Sequence, residues 1–213
     1  MDTPDRSQVV AAFDFDGTLT TSDTLLSFIR FTHGRLRFLL GFLRYAPLLL
    51  MMKAGLYPNG KAKEKVFSYF YKGVPHEQFS QWGHEFADIA ATMLSSEMVK
   101  TLRWHQSEGH TVCVVTASID EWVRPVCERL GINTVLATRI EVSPDGLLTG
   151  RFLTPNCYGA EKVVRLLEEF PERKSYKLYA YGDSRGDHEL LAIADVSSVP
   201  SAPSASSASL IIV

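Results

Sequence analysis

A chain of 213 residues, 46% hydrophobic and 22% charged, is long enough to bury a sizeable core as one domain, or as one domain with a small insert. Its net charge of −2 offers no basic surplus for nucleic acid and points to no partner by itself. Three cysteines, Cys113, Cys127 and Cys157, make no even, closely spaced disulfide framework, which fits a reduced, cytoplasmic compartment.

In chain order, the polar opening MDTPDRSQ lacks the basic-then-apolar layout of a signal peptide. Residues 8–13 (QVVAAF) are short, apolar and partly β-branched, the pattern of a buried strand. This strand runs into Asp14-Phe15-Asp16-Gly17-Thr18, so two acids stand one residue apart at its end. Residues 24–100 carry no strand pattern and read as a helical insert. Within them, residues 24–63 contain no Asp or Glu but seven basic residues: Arg30, Arg35, Arg37, Arg44, Lys53, Lys61 and Lys63. The apolar run FLLGFLRYAPLLLMM (38–52) is interrupted by Arg44 and Pro47 and flanked by Arg37 and Lys53. It is shorter than the ~20 apolar residues of a spanning helix. Two readings stay open for it: a buried helical hairpin bent at Pro47, or a basic, apolar surface resting on anionic lipid at the inner membrane face.

A helical pattern at 95–107 leads into a second apolar strand, TVCVV (111–115). Residues 138–152 (TRIEVSPDGLLTGRF) set two alternating runs around Pro-Asp-Gly and predict a hairpin. Residues 160–170 read as a helix and 176–181 (YKLYAY) as a third strand. Strands alternating with helices predict an α/β fold with a parallel sheet covered on both faces. After Asp195 the chain turns small and Pro/Ser-rich, then ends in LIIV. Residues 196–213 therefore read as a flexible tail, or as a tail whose last four residues dock as an edge strand.

Ligands of open α/β sheets bind at the carboxyl ends of the strands, where paired acids can hold a divalent cation. Taken alone, Asp-Gly-Thr is also ordinary turn chemistry. The third strand, however, ends in Gly182-Asp183-Ser184-Arg185-Gly186-Asp187. If the two strands are neighbours, four carboxylates converge, and a Mg²⁺ between them relieves their repulsion. The strand TVCVV ends in Thr116-Ala117-Ser118, whose hydroxyl and backbone N–H groups suit a phosphate or a plain helix cap. Lys162, near the start of the 160–170 helix, would alone be solvated surface. Cys113 reads as core. Cys157 and His188 lack the partners of a thiol nucleophile or a zinc site and read as structural.

These four motifs, in this order, resemble the haloacid dehalogenase superfamily of phosphohydrolases. The likeness is strongest to the branch containing phosphoserine phosphatase, where a helical cap is inserted after the first motif, and it covers about residues 8–195. It implies a Rossmann-like core from 1–22 and 101–195, an α-helical cap at 23–100 and the tail at 196–213. It further implies a Mg²⁺-dependent phosphomonoesterase that forms an aspartyl-phosphate. Asp14 matches the nucleophile and Asp16 the general acid/base. The metal is expected on the carboxylates of Asp14 and Asp183 and the backbone carbonyl of Asp16. Thr116, Ala117 and Lys162 match the phosphoryl-binding groups, and Asp187 the acid that orients the metal waters and Lys162.

An Asp at position 16 sets the chain apart from the dehalogenases, which lack it, and from the transport ATPases, which carry Lys there. It points to a phosphatase or a mutase. Asp23 stands where phosphoserine phosphatases carry a substrate-reading Glu, Gly186 stands where they carry Asn, and Arg185 adds charge to that loop. These departures weigh against phosphoserine. The hydrophobic insert resembles that of the C-type phosphatidylglycerophosphate phosphatases. A phosphorylated small molecule and a phospholipid both remain as substrate, with peripheral membrane contact through residues 24–63 in the second case. A phosphotransferase and a non-catalytic membrane adaptor that only binds phosphoryl groups are the other readings.

Overall fold

A computed structural model of the protein describes residues 8–199. β1 (Gln8–Phe13) lies at the centre of a five-stranded parallel sheet. The order is β3 (Thr134–Thr138), β2 (Thr111–Ile119), β1, β6 (Tyr176–Tyr181), β7 (Val196–Ser198). Alternation along β1 divides its side chains between two cores. Val10 and Ala12 pack with Cys113, Val115, Leu178 and Ala180 on one face, while Ala11 and Phe13 pack with Val114 on the other. Both faces are covered, which is why these strands read as continuous apolar runs. Helices α6 (Ala160–Glu169) and α7 (His188–Ala192) cover the first face through Leu166 and Leu190. Helices α4 (Ser96–Ser107) and α5 (Asp120–Arg129) cover the second through Leu102 and Trp122. From β1 the chain builds outward to β3 on one side, then crosses to β6 on the other. The order therefore reverses between β1 and β6, and the crevice beyond their carboxyl ends is where such sheets bind ligands.

The insert after β1 comprises α1 (Thr24–Lys53), α2 (Asn59–Tyr71) and α3 (His76–Ala91). Asp23 caps α1 by accepting from the Leu26 N–H at 3.1 Å. Gly34 (φ 72°, ψ 170°) breaks α1 into two segments, a conformation open to glycine at little cost. The first segment is locked down: Phe28 stacks on Trp122 of α5 at 4.7 Å, and the Trp122 indole N–H donates to the Thr24 hydroxyl at 3.1 Å. The second segment reaches α2 through Gly41, where a Cβ would strike the Phe70 ring. The two strands of the insertion neck are stitched together: Thr21 N–H donates to Met93 O and Ser95 N–H to Leu19 O, each at 2.8 Å. Strands β4 (Ile140–Val142) and β5 (Leu148–Phe152) form the expected antiparallel hairpin. It lies against α2, with Glu64 accepting the Phe152 N–H at 2.8 Å.

Three readings of the sequence need correction. β3 has no counterpart among the expected elements, because TVLAT runs straight into the hairpin without a turn signal. The neck and α4 set the end of the insert near Leu94, since a boundary at residue 100 would cut a helix that is capped by Ser95 and packs on the sheet. The tail does not start at 196: Val196–Ser198 pairs with Tyr179–Tyr181. An edge strand of this kind is held by main-chain bonds, so a small, polar composition does not prevent it. The Asp195 carboxylate fixes its entry by accepting from Leu178 N–H at 2.8 Å and Arg173 at 2.9 Å. The LIIV segment lies outside the described residues. Among the described residues, no helix is long and apolar enough to cross a membrane. All three cysteines are buried and free, which agrees with the core reading of Cys113 and the structural reading of Cys157.

Candidate active site

Asp14 continues the sheet one step past β1, its N–H donating to Tyr181 O at 2.8 Å. The chain then turns sharply at Gly17 (φ 82°), where any Cβ would collide with the Asp183 carboxylate. That close approach brings the ends of β1 and β6 together, as the two acidic motifs require. Thr18 adds a hydroxyl donated to Asp183 at 3.3 Å. Lys162, on the first turn of α6, is buried and donates to Asp14 Oδ1 and Asp187 Oδ1, each at 2.5 Å. Asp187 is fully buried, and its other oxygen takes the Ser184 N–H at 2.9 Å and the Ser184 hydroxyl at 2.7 Å.

Carboxylate oxygens of Asp14, Asp183 and Asp187 lie within 4.8 Å of one another. Three acids face one ammonium there. Burial, with Asp187 and Asp16 nearby, pushes Asp14 up to about 7 even against Lys162. Burial and Asp187 also raise Asp183 above the usual carboxylate range. Burial alone would lower Lys162, but Asp14 and Asp187 outweigh it and hold the ammonium above its usual value. An all-oxygen donor set with surplus negative charge fits a hard divalent cation such as Mg²⁺.

Asp16 points elsewhere. Its carboxylate accepts from the Thr24 N–H at 2.7 Å and from the Ser118 hydroxyl, so its side chain faces the cleft and its roof rather than the acidic cluster. Thr116, almost fully buried where the β2 register shifts ahead of its carboxyl end, accepts from the Ser118 N–H at 3.0 Å and lines the cleft beside Ala117. Asp23 is exposed and lines the same cleft while capping α1. The cleft holds about 340 Å³. Its floor is Asp14, Asp16, Thr116, Lys162 and Ser184, and its roof combines apolar Leu25, Leu26, Phe42, Leu49, Met52 and Val66 with Asp23, Asn59 and Lys63.

All the motif residues singled out in the sequence line or adjoin this cleft. Lys63, Ser118, Tyr158 and Ser184 were not singled out. Lys63 was counted with the surface charges of 24–63, yet it reaches from α2 into the cleft and donates to Ala117 O at 2.7 Å. Nothing local marks it, since its role depends on where α2 docks. Ser118 and Ser184 stand inside quoted motifs, and their hydroxyl chemistry was a usable signal.

Residues 11–192 match the haloacid dehalogenase-like hydrolase family. The chain belongs to that family. Among curated relatives of this haloacid dehalogenase-like chain is Protein CicA of Caulobacter vibrioides, 37% identical over 189 residues, covering 88% of this chain and 83% of the relative. A probable phosphatase of Mycobacterium tuberculosis is 28% identical over 222 residues, covering 92% and 70%. A substrate-bound phosphoserine phosphatase shares the fold with TM-score 0.66 at 19% identity, over 90% of this chain and 85% of that one.

Proposed function

We propose that the protein hydrolyses a phosphate monoester by way of an aspartyl-phosphate on Asp14, with Mg²⁺ as cofactor, and that the ester carries an apolar body such as a lipid phosphate offers. That it is a phosphatase of the haloacid dehalogenase-like family rests on the family match and its phosphatase relatives. The observation that carries the mechanism is the Lys162 ammonium clamped between Asp14 and Asp187 beside Asp183.

The clamp holds one oxygen of Asp14 and leaves Oδ2, which no hydrogen bond from the described residues engages, for attack on phosphorus. Lys162 stays charged and offsets the negative phosphoryl oxygens as they approach. Thr116 and the backbone at Ala117 take the far side of the phosphoryl group. Asp16, held by Thr24 and Ser118 next to the leaving group, gives its proton to the departing alkoxide. It then takes a proton from the water that cleaves the aspartyl-phosphate. Asp14, Asp183 and the Asp16 carbonyl would hold Mg²⁺, which supplies positive charge at the phosphoryl oxygens. Asp187 has both oxygens engaged by Lys162 and Ser184, so its part is to fix Lys162.

The substrate reading rests on the roof. Phe42, Leu49 and Met52 form an apolar wall that fits an alkyl or acyl body, beside the charged Asp23 and Lys63 of the same cleft. Such an ester is presented at a lipid surface, so peripheral contact through residues 24–63 at the cytoplasmic face belongs to this reading. The test is a comparison of kcat/KM for a short-chain lipid phosphate and for phosphoserine, with Mg²⁺ and after chelation. Activity that needs Mg²⁺ and favours the lipid phosphate is expected. A preference for phosphoserine would end the apolar-ester reading, and hydrolysis undiminished by chelation would end the Mg²⁺ assignment.

A further inference from the structure

Beyond Gly34, the second segment of α1 has two apolar sides. Phe38, Phe42, Tyr45 and Leu49 pack inward against the core cluster. Helical periodicity sets Leu36, Leu39, Leu40, Leu43, Leu50 and Met51 on the opposite side, in a stripe roughly 120° wide. All six are exposed, Leu36 and Leu43 at 71% and Leu50 at 68%. The stripe's margins are basic. Exposed Arg37 and Arg44 fall along one edge, exposed Arg35 and Lys53 along the other, and residues 24–63 contain no acid. A helix that turned this side to water would be polar there. α3, for comparison, leaves Ile89 as its one large exposed apolar side chain among the described residues.

An exposed apolar stripe of this size marks an interaction surface. A second copy of the chain is a poor occupant, because pairing two such stripes would bring two sets of four cations together with no acid between them. A surface that is apolar below and anionic above fits both features. The leucines enter the acyl boundary, while the Arg and Lys stems lie along it and their heads meet the phosphates. We propose that the outer face of residues 36–51 docks in the plane of an anionic phospholipid bilayer. The docking stands on the outer face alone, whatever ester the cleft takes. Its consequence does rest on the phosphatase reading: Phe42, Leu49 and Met52 of the same segment line the cleft, so one helix would separate bilayer from active site.

The test is flotation of the full chain with vesicles of phosphatidylcholine alone and of phosphatidylcholine mixed with phosphatidylglycerol, at low and high salt. Binding only to the anionic vesicles, weakening with salt, is expected. Arg37→Gln with Arg44→Gln should weaken it about 30-fold, at the usual contribution of one basic residue near an anionic surface. Leu39→Ser with Leu43→Ser should abolish it, leaving circular dichroism and p-nitrophenyl phosphate hydrolysis unchanged. No binding to the anionic vesicles at low salt, or binding that ignores both double substitutions, would overturn the proposal. So would a dimer in solution that Leu43→Ser dissociates, which would assign the stripe to a second copy. Loss of hydrolysis in the wild-type chain with binding intact would count against the phosphatase reading and leave the docking standing.

Discussion

On the floor of the cleft, charged groups are held by other residues of the chain. Lys162 is held by two carboxylates, Asp187 by Lys162 and Ser184, and Asp16 by Thr24 and Ser118. On the roof, Phe42 and Leu49 are held by apolar packing alone, on a helix segment set apart by Gly34 and exposed on its far side. The contrast has a physical reason. A buried charge without a partner costs several kcal/mol, so the floor is either complete or wrong. An apolar contact shifted slightly loses little, so the roof can differ between related enzymes while the floor stays the same. Chemistry should therefore respond sharply to floor substitutions, and substrate choice gradually to roof substitutions.

The largest effect should come from Asp14→Asn. The amide is a poor nucleophile, and turnover of p-nitrophenyl phosphate should fall by about 10⁴-fold or more, the scale on which loss of a covalent nucleophile is felt. Circular dichroism should be unchanged, because Lys162 keeps Asp187. Retention of a few per cent of the activity would remove Asp14 from that role. Next comes Asp16→Asn, with an expected loss of roughly 10²–10⁴-fold on an alkyl phosphate. The loss should shrink for p-nitrophenyl phosphate, whose leaving group needs little protonation, and equal losses on the two esters would argue against the acid role.

The roof should respond more mildly. Phe42→Ala removes apolar contact and should lower kcat/KM for a lipid phosphate about tenfold, with little change for phosphoserine. A parallel fall on both esters would show that Phe42 supports the cap rather than reads the substrate. The smallest effect is a change in thermal stability with pH. Asp14 titrates at about 7 in the fold against 3.8 ordinarily. Between those values the folded state binds the extra proton, so this group's contribution to stability falls as pH rises through the window. Mg²⁺ binds the ionised form and should offset the loss. The rise in Tm on adding Mg²⁺ should therefore grow from pH 5 toward about pH 7 and beyond. A Mg²⁺ effect that is flat with pH would detach the ion from Asp14.

The sequence by itself determined the elements whose signals are local. The strands at 8–13 and 176–181 have the expected ends, and the helix at 160–170 differs by one residue. A strand buried on both faces must be apolar throughout and must place its first acid at its end. Asp14, Asp183 and Lys162 were legible for that reason, together with the order of the motifs. Tertiary structure alone decided what depends on partners distant in the chain. β7 exists because β6 offers an open edge to its main chain, which composition does not reveal. Lys63 leaves the surface charges and enters the cleft because α2 docks over the end of β2. The run at 38–52 was open between a buried hairpin and a lipid-facing surface. The fold makes one side of it core and cleft roof and leaves the other exposed, because a helix has two sides and the core covers only one.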